Sequence, residues 1–180
     1  MAESVESVVA KLDSTRNVTI EIKNLTKDYC LKNPKVHLES GGTYIPPQPT
    51  VRPQETEICT FIKTSHSLRG SVGVMTYDLF ESSSNDFTET LALMFSVPFD
   101  YTYYINWYAV GILNKDKGKA CDRDLYQKMY NENQKWFSRS AATGTGLNYT
   151  EGKCVDIKAT MSPMAKSIMK VEIWDKQLKK

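Results

Sequence analysis

From Asn17 to Trp174 the chain is built of short runs in which apolar and polar residues alternate. Val18, Ile20 and Ile22 alternate with Thr19, Glu21 and Lys23, the period that a half-buried strand requires. Similar runs fall near Lys35–Leu38, Glu57–Lys63, Ser71–Leu79, Glu89–Val97, Trp107–Leu113, Val155–Met161 and Ile168–Trp174, separated by Gly, Pro, Asn and Ser clusters. Two stretches break the pattern. In Ala2–Leu12, Val5, Val8, Val9 and Leu12 stand at helical spacing with Ser4 as a cap before them, which reads as a short amphipathic helix. In Asp122–Glu132, Leu125 and Met129 share one helical face while Tyr126 and Tyr130 share another. The segment Thr43–Pro53, with Pro46, Pro47, Pro49 and Pro53, cannot donate a regular ladder and is expected to be one long extended loop. Many strands with one helix at the start and one late predict a mainly β fold, a β-sandwich flanked by two short α-helices. Residues 1–16 are expected to form the helical segment and residues 17–180 a single sandwich domain.

Composition narrows the function classes. The 180 residues carry 23 basic and 21 acidic side chains, a net charge of +2, without the basic footprint that phosphate-backbone binding demands. Nucleic acid is therefore not an expected partner. No apolar run reaches membrane-spanning length, and the start Met1-Ala2-Glu3-Ser4-Val5-Glu6 lacks the basic and apolar regions of a secretory signal. The expectation is a soluble chain, cytosolic or exported by another route, that meets a target membrane from the water side. Cys30, Cys59, Cys121 and Cys154 form no C-x-x-C pair, so zinc and thioredoxin-type chemistry lack their spacing and free, mostly buried thiols are expected. With only His37 and His66, and with Gly70-Ser71-Val72-Gly73 entering a strand rather than a helix, no metal site, cofactor site, phosphate loop or nucleophile elbow is assembled. The chain does not read as an enzyme.

The unusual feature is Phe99-Asp100-Tyr101-Thr102-Tyr103-Tyr104-Ile105-Asn106-Trp107-Tyr108, which spends six aromatic residues on ten positions. Alternation cannot bury Tyr101, Tyr103 and Tyr104 together, so an exposed aromatic patch is expected after Pro98. Tyr and Trp suit a surface where the ring meets apolar matter and the OH or NH stays wet, as at a membrane headgroup layer. Tyrosine faces also attract a quaternary ammonium, by ~0.5–2 kcal/mol per well-placed ring. A choline headgroup would satisfy both, provided that the helix carrying Tyr126 and Tyr130 packs beside the aromatic run.

The stretch Leu93-Met94-Phe95-Ser96-Val97-Pro98-Phe99-Asp100-Tyr101, followed by Tyr104 and Asn106-Trp107, resembles the F-S-V-P-Y-D-Y…Y-x-N-W signature of the actinoporins, the sea-anemone pore-forming cytolysins, and of their vertebrate actinoporin-like relatives. Gly70-Ser71-Val72-Gly73-Val74 upstream and Leu125-Tyr126-x-x-Met129-Tyr130 downstream fall in the family's order, and the resemblance covers roughly Val18 to Trp174. It implies a sandwich with two flanking helices that recognises phosphocholine headgroups, sphingomyelin preferred, is monomeric in solution and assembles as a homo-oligomer on membranes. It implies that Ser40, Val72, Ser96 and Pro98 wall the headgroup pocket and that Tyr104, Tyr126 and Tyr130 cage the choline. Tyr101, Tyr103 and Trp107 would be the aromatics at the membrane interface. Val5, Val8, Val9 and Leu12 would belong to the segment that leaves the sandwich to make a cation-permeable pore.

Several positions depart from the family pattern. Asn131 stands where many members have a third helix tyrosine, Glu39 where a basic residue often precedes the pocket serine, and Tyr103 in place of a tryptophan. The Arg-Gly-Asp triplet that many toxins carry after the second helix is missing. Eleven helical residues rise only ~17 Å against a hydrocarbon core of ~30 Å, so a pore requires the helix to continue beyond Leu12. The competing reading is a non-lytic headgroup- or glycan-binding module, because fungal fruit-body lectins are similar in fold and aromatic rings also stack on sugars. Converging tyrosines without an amide-and-carboxylate cluster favour choline over a glycan.

Overall fold

A computed structural model describes residues 3–117 and 120–176. The expected helix boundary at Ala2 and the outer ends of the two expected segments lie outside the described residues. In chain order the elements are α1 (Val5–Ala10), β1 (Asn17–Asn24), β2 (Tyr29–Ser40), β3 (Gly42–Ile45), β4 (Thr50–Val51), β5 (Thr56–Ile62), β6 (Ser71–Glu81), β7 (Phe87–Val97), β8 (Trp107–Asn114), α2 (Arg123–Asn131), β9 (Phe137–Ala141), β10 (Asn148–Glu151), β11 (Val155–Met161) and β12 (Lys166–Asp175). They form two six-stranded sheets, β10-β11-β12-β1-β5-β3 and β4-β2-β6-β7-β8-β9. Between them lies a continuous apolar core in which Phe61 and Phe95, one from each sheet, stack at 5.0 Å. The expected sandwich with two short helices is what the chain forms.

Each helix covers the outer face of one sheet. Ser4 caps α1 by accepting from the Ser7 amide at 3.2 Å, and Asp122 caps α2 by accepting from the Leu125 amide at 3.0 Å, the role that Ser and Asp side chains serve at orphan amides. On α2, Leu125, Met129 and Tyr126 pack onto Val74, Ala92, Met94, Ala109 and Phe137. The two alanines leave a shallow floor that lets the helix sit close to β7 and β8. Val5, Val8, Val9 and Leu12 are also buried, yet they belong to neither core cluster. The strand alternation explains why: Val18 and Phe61 face the core, so Thr19 and Thr60 face outward beneath α1, where their hydroxyls hydrogen-bond at 3.1 Å. The first helix therefore rests on a floor that contains hydroxyls.

Two expectations need correction. Thr43–Pro53 is not one loop, because β3 pairs with β5 and β4 pairs with β2 within or at the edge of it. Both are edge strands and neither contains a proline, since those at 46, 47 and 49 fall between the two paired pieces. The strand expected at Lys35–Leu38 begins at Tyr29 and carries a bulge at Asn33, whose φ is 55°. Two further strands, β9 and β10, had no apolar alternation to announce them. Their inward side chains are polar: Asn148 donates to the Tyr108 carbonyl at 3.1 Å and Thr150 to the Val110 carbonyl at 2.9 Å. Ser140 donates to Asn148 Oδ1 at 3.0 Å, which makes the join between the two sheets a hydrogen-bonded seam. The cysteines are free, with Cys30 and Cys59 buried and Cys121 and Cys154 half-buried.

Candidate functional site

Strand register assembles the site from distant parts of the chain. Ser40 pairs with Val72, Val72 with Ser96, Ser96 with Trp107 and Trp107 with Ala141, so these five residues form one row across β2, β6, β7, β8 and β9. Directly paired antiparallel residues present their side chains on one face. Val72, Ser96 and Trp107 therefore share the face that α2 covers. Ser40 Oγ donates to the Gly70 carbonyl at 2.9 Å, and Pro98, buried, leads out of β7 into the aromatic loop. Gly70 is required at this spot: a Cβ there would lie 1.8 Å from the Val97 carbonyl oxygen.

Above the row stand the rings. Tyr126 and Tyr130 stack with centroids 5.7 Å apart, and Trp107 meets Tyr130 edge-on at 6.5 Å. Burial, with Tyr130 and the Glu39 carboxylate adding to it, holds the Tyr126 phenol well above its usual range, although a hydrogen bond with Ser96 acts the other way. At physiological pH Tyr126 is a neutral ring with a hydroxyl proton to donate. Glu39 itself is engaged, with Oε1 3.2 Å from His37 Nε2 and 3.4 Å from Arg123 Nε. Arg139 of β9 lies against the same cluster, its guanidinium carbon 4.5 Å from the Trp107 ring centroid, with Nη2 donating to the Tyr130 carbonyl oxygen.

The aromatic loop, residues 98–106, is a braced structure. The Asp100 carboxylate accepts from the Thr102 amide at 2.9 Å and the Asp100 carbonyl from the Tyr104 amide at 3.1 Å. The Tyr101 hydroxyl donates to Asn106 Oδ1 at 2.7 Å, and Asn106 Nδ2 donates to the Ser162 and Met164 carbonyls at 3.0 and 2.9 Å. Tyr101 is accordingly half-buried, whereas Tyr103 is 78% exposed, Tyr104 60%, Ile105 50% and the adjoining Met164 62%. Such a group of exposed large apolar side chains marks a contact surface.

Of the residues expected at the site, Ser40, Val72, Ser96, Trp107, Tyr126 and Tyr130 come together around one end of the second sheet. Tyr103 and Tyr104 stand apart on the loop, and Tyr104 makes no ring contact with Tyr126 or Tyr130 among the described residues. The α1 segment lies on the other sheet, held by Glu6–Lys170 at 2.9 Å and by Lys166 Nζ donating to the Leu12 carbonyl at 2.7 Å. A cavity of about 430 Å³ lies beneath the α1–β1 connection, lined in part by Leu12, Thr15, Tyr44 and His66. Ile105, Met164, Arg16 and Arg139 were not legible as site residues. Their places depend on long-range contacts, and the only available signal was that Ile105 falls inside the aromatic run.

Known proteins give this geometry its context. The profile of the family described as sea anemone cytotoxic protein matches residues 9–175. Bryoporin of Physcomitrium patens is 33% identical over 116 residues, which cover 64% of this chain and 61% of bryoporin. DELTA-thalatoxin-Avl1b of Actineria villosa is 49% identical over 65 residues, 36% of this chain and 25% of the toxin. Deep-sea actinoporin Cjtox I of Cribrinopsis japonica is 33% identical over 86 residues, 46% of this chain and 36% of that protein. The matched stretches thus span less than two thirds of each relative. The crystal structure of the lipid binding protein Nakanori superposes with a TM-score of 0.68 over 94% of this chain and 76% of that chain, at 10% identity, a likeness of fold alone. With 167 consecutive positions, residues 9–175, under one family profile, the chain belongs to the sea anemone cytotoxic protein family.

Proposed function

We propose that this protein binds membranes by recognising phosphocholine headgroups, of sphingomyelin and phosphatidylcholine, and that copies assembled on the membrane insert their N-terminal segments to form a cation-permeable pore. The observation that carries the reading is the Tyr126–Tyr130–Trp107 cluster set beside an exposed aromatic loop. Ring faces attract a quaternary ammonium, the Ser96 and Tyr126 hydroxyls offer hydrogen bonds to a phosphate, and Tyr103, Tyr104, Ile105 and Met164 supply apolar surface at headgroup depth. Membership in a family of cytotoxic proteins and the likeness to bryoporin support the lytic step.

The N-terminal segment must change shape to act this way. The six helical residues of α1 rise ~9 Å at ~1.5 Å each, against ~30 Å of hydrocarbon. Among the described residues no helix is long and apolar enough to cross a membrane. Insertion therefore requires the helix to grow at least through residues 11–16, which are not helical in the folded chain; residues 5–16 alone would rise only ~18 Å, so the helix must continue further. The floor of Thr19 and Thr60 suits that departure, because it leaves hydroxyls that water can satisfy. Co-sedimentation with phosphatidylcholine vesicles in the presence of soluble phosphocholine tests the recognition step. Competition is expected; binding that is indifferent to phosphocholine, rises on vesicles made with anionic lipid and is abolished there by salt would assign the affinity to surface charge instead.

A further inference from the structure

A phosphocholine group carries two opposite charges, and the rings described above answer only one of them. The phosphodiester is an anion that calls for a cation or a set of free N–H donors. Near the row of site residues the Ser96 and Tyr126 hydroxyls can donate to it but carry no positive charge, and the other candidates are already engaged. Ser40 donates to Gly70, Glu39 brings a carboxylate of the wrong sign, and His37 and Arg123 both face that carboxylate.

Arg139 is different. It pairs with Ala109 of β8, two positions along the ladder from the Trp107–Ala141 pair and so on the same face, and projects on the face that α2 covers, as Phe137 does two residues before it. Its guanidinium lies over Trp107, and Nη2 donates to the Tyr130 carbonyl in the last turn of α2. Both partners belong to the aromatic cluster. Carbonyls at a helix C-terminus and a tryptophan face are each favourable to a cation, so the charge is kept in place with no carboxylate paired to it among the described residues. Nε is buried and meets no acceptor among the described residues. Being buried, Nε is closed to an incoming ligand; the two Nη groups, each with two N–H bonds of which Nη2 spends one on the Tyr130 carbonyl, form the planar fork that phosphate oxygens accept.

We infer that Arg139 is the phosphate-recognising cation of the headgroup site, so that Tyr126 and Tyr130 hold the ammonium while the Arg139 fork holds the phosphate. This rests on the headgroup reading above and deepens it.

The competing role for Arg139 is mechanical, as a brace between Trp107 and α2, and ligand choice separates the two. Binding of phosphocholine, of choline and of inorganic phosphate is measured by calorimetry for the parent chain, Arg139→Gln and Arg139→Lys. With charge-assisted hydrogen bonds at stake, Arg139→Gln is expected to weaken phosphocholine binding by about tenfold or more while choline binding changes by less than about twofold. Arg139→Lys keeps a point charge without the fork and is expected to fall between. Should Arg139→Gln fail to fold, the Lys variant alone decides, through a lowered ratio of phosphocholine to choline affinity. An equal loss for choline and phosphocholine, or no loss for either, overturns the assignment in favour of a brace. A parent chain that binds neither ligand overturns the headgroup reading itself, and the assignment with it.

Discussion

Arg16 donates from Nε and Nη2 to the main-chain oxygen of Phe99, at 3.1 and 2.9 Å, and so fastens the connection between α1 and β1 to the aromatic loop. Its guanidinium also lies 5.4 Å from the Phe99 ring centroid and 5.1 Å from that of Tyr101. In the proposed function, the segment that leaves to form a pore and the loop that meets the lipid therefore share one clamp. Growth of α1 through residues 11–16 requires that clamp to open, and a loop displaced by lipid would open it.

Replacement Arg16→Ala removes both hydrogen bonds and two ring contacts. A loss of ~1–3 kcal/mol of folding stability follows from charge-assisted bonds of this kind, read as a lowered melting temperature. Dye release per bound molecule is expected to start sooner than for the parent. A slower onset would show that the clamp guides insertion instead of restraining it.

Deletion of residues 1–16 separates recognition from lysis. The site row and the tyrosine cluster lie on the second sheet, and α1 covers the first. Binding to choline-lipid vesicles is expected to survive the deletion and dye release to disappear. Loss of binding in a chain that keeps its β-sheet circular dichroism would contradict this division of labour.

Tyr130 touches both other rings of the cluster. Tyr130→Ala removes one ring and frees its two neighbours to move, so at ~0.5–2 kcal/mol per ring the affinity for choline-lipid vesicles should drop about tenfold or more. Tyr126→Phe keeps the stack and removes only the hydroxyl near Ser96, and a smaller loss is expected. Sedimentation across a lipid titration ranks the two variants; the reverse order would place the phosphate at Tyr126 ahead of the choline at Tyr130.

Gly70 sits where the Ser40 hydroxyl, the end of β7 and the start of the aromatic loop meet. Gly70→Ala would drive a methyl group into the Val97 carbonyl, 1.8 Å away, with the Pro98 carbonyl carbon at 2.8 Å. Only a backbone shift relieves this, at a cost of ~1–3 kcal/mol or more. Headgroup binding should fall along with the melting temperature, and a variant as stable as the parent would mean that the loop yields freely.

Glu57 gives the core a pH dependence. It is almost fully buried, accepts from the Tyr77 hydroxyl at 2.6 Å and from the Gln48 amide at 2.7 Å, and burial raises its pKa above the usual 4.5. The folded chain thus holds this proton more tightly than the unfolded chain does. Its contribution to stability is fullest below 4.5 and is lost as pH rises through the folded-state value. Glu57→Gln fixes the neutral form, so between about pH 4 and about pH 7 the melting temperature of the variant relative to the parent should rise. A constant difference would show that Glu57 ionises alike in both states.

Legibility in the sequence followed chemistry. Strands whose inward side chains are apolar, such as β1 with Val18, Ile20 and Ile22, announced themselves by alternation. Strands β9 and β10 did not, because Asn148, Thr150 and Ser140 hydrogen-bond inward across the seam. Prolines hid β3 and β4, although none of them lies inside either strand. At the site, the aromatic run stood out by density, and Tyr126 and Tyr130 by helical spacing. The Ser40–Val72–Ser96–Trp107 row needed strand register, and Arg16, 83 positions from Phe99, needed the folded chain.

Co-sedimentation and dye release, followed together on phosphatidylcholine vesicles with and without sphingomyelin, test the central claim most directly. The account predicts binding that tolerates salt, is competed by phosphocholine, and is accompanied by release that sphingomyelin increases. A chain that sediments with neither vesicle and releases no dye would contradict it and would turn attention from lipid headgroups to glycans.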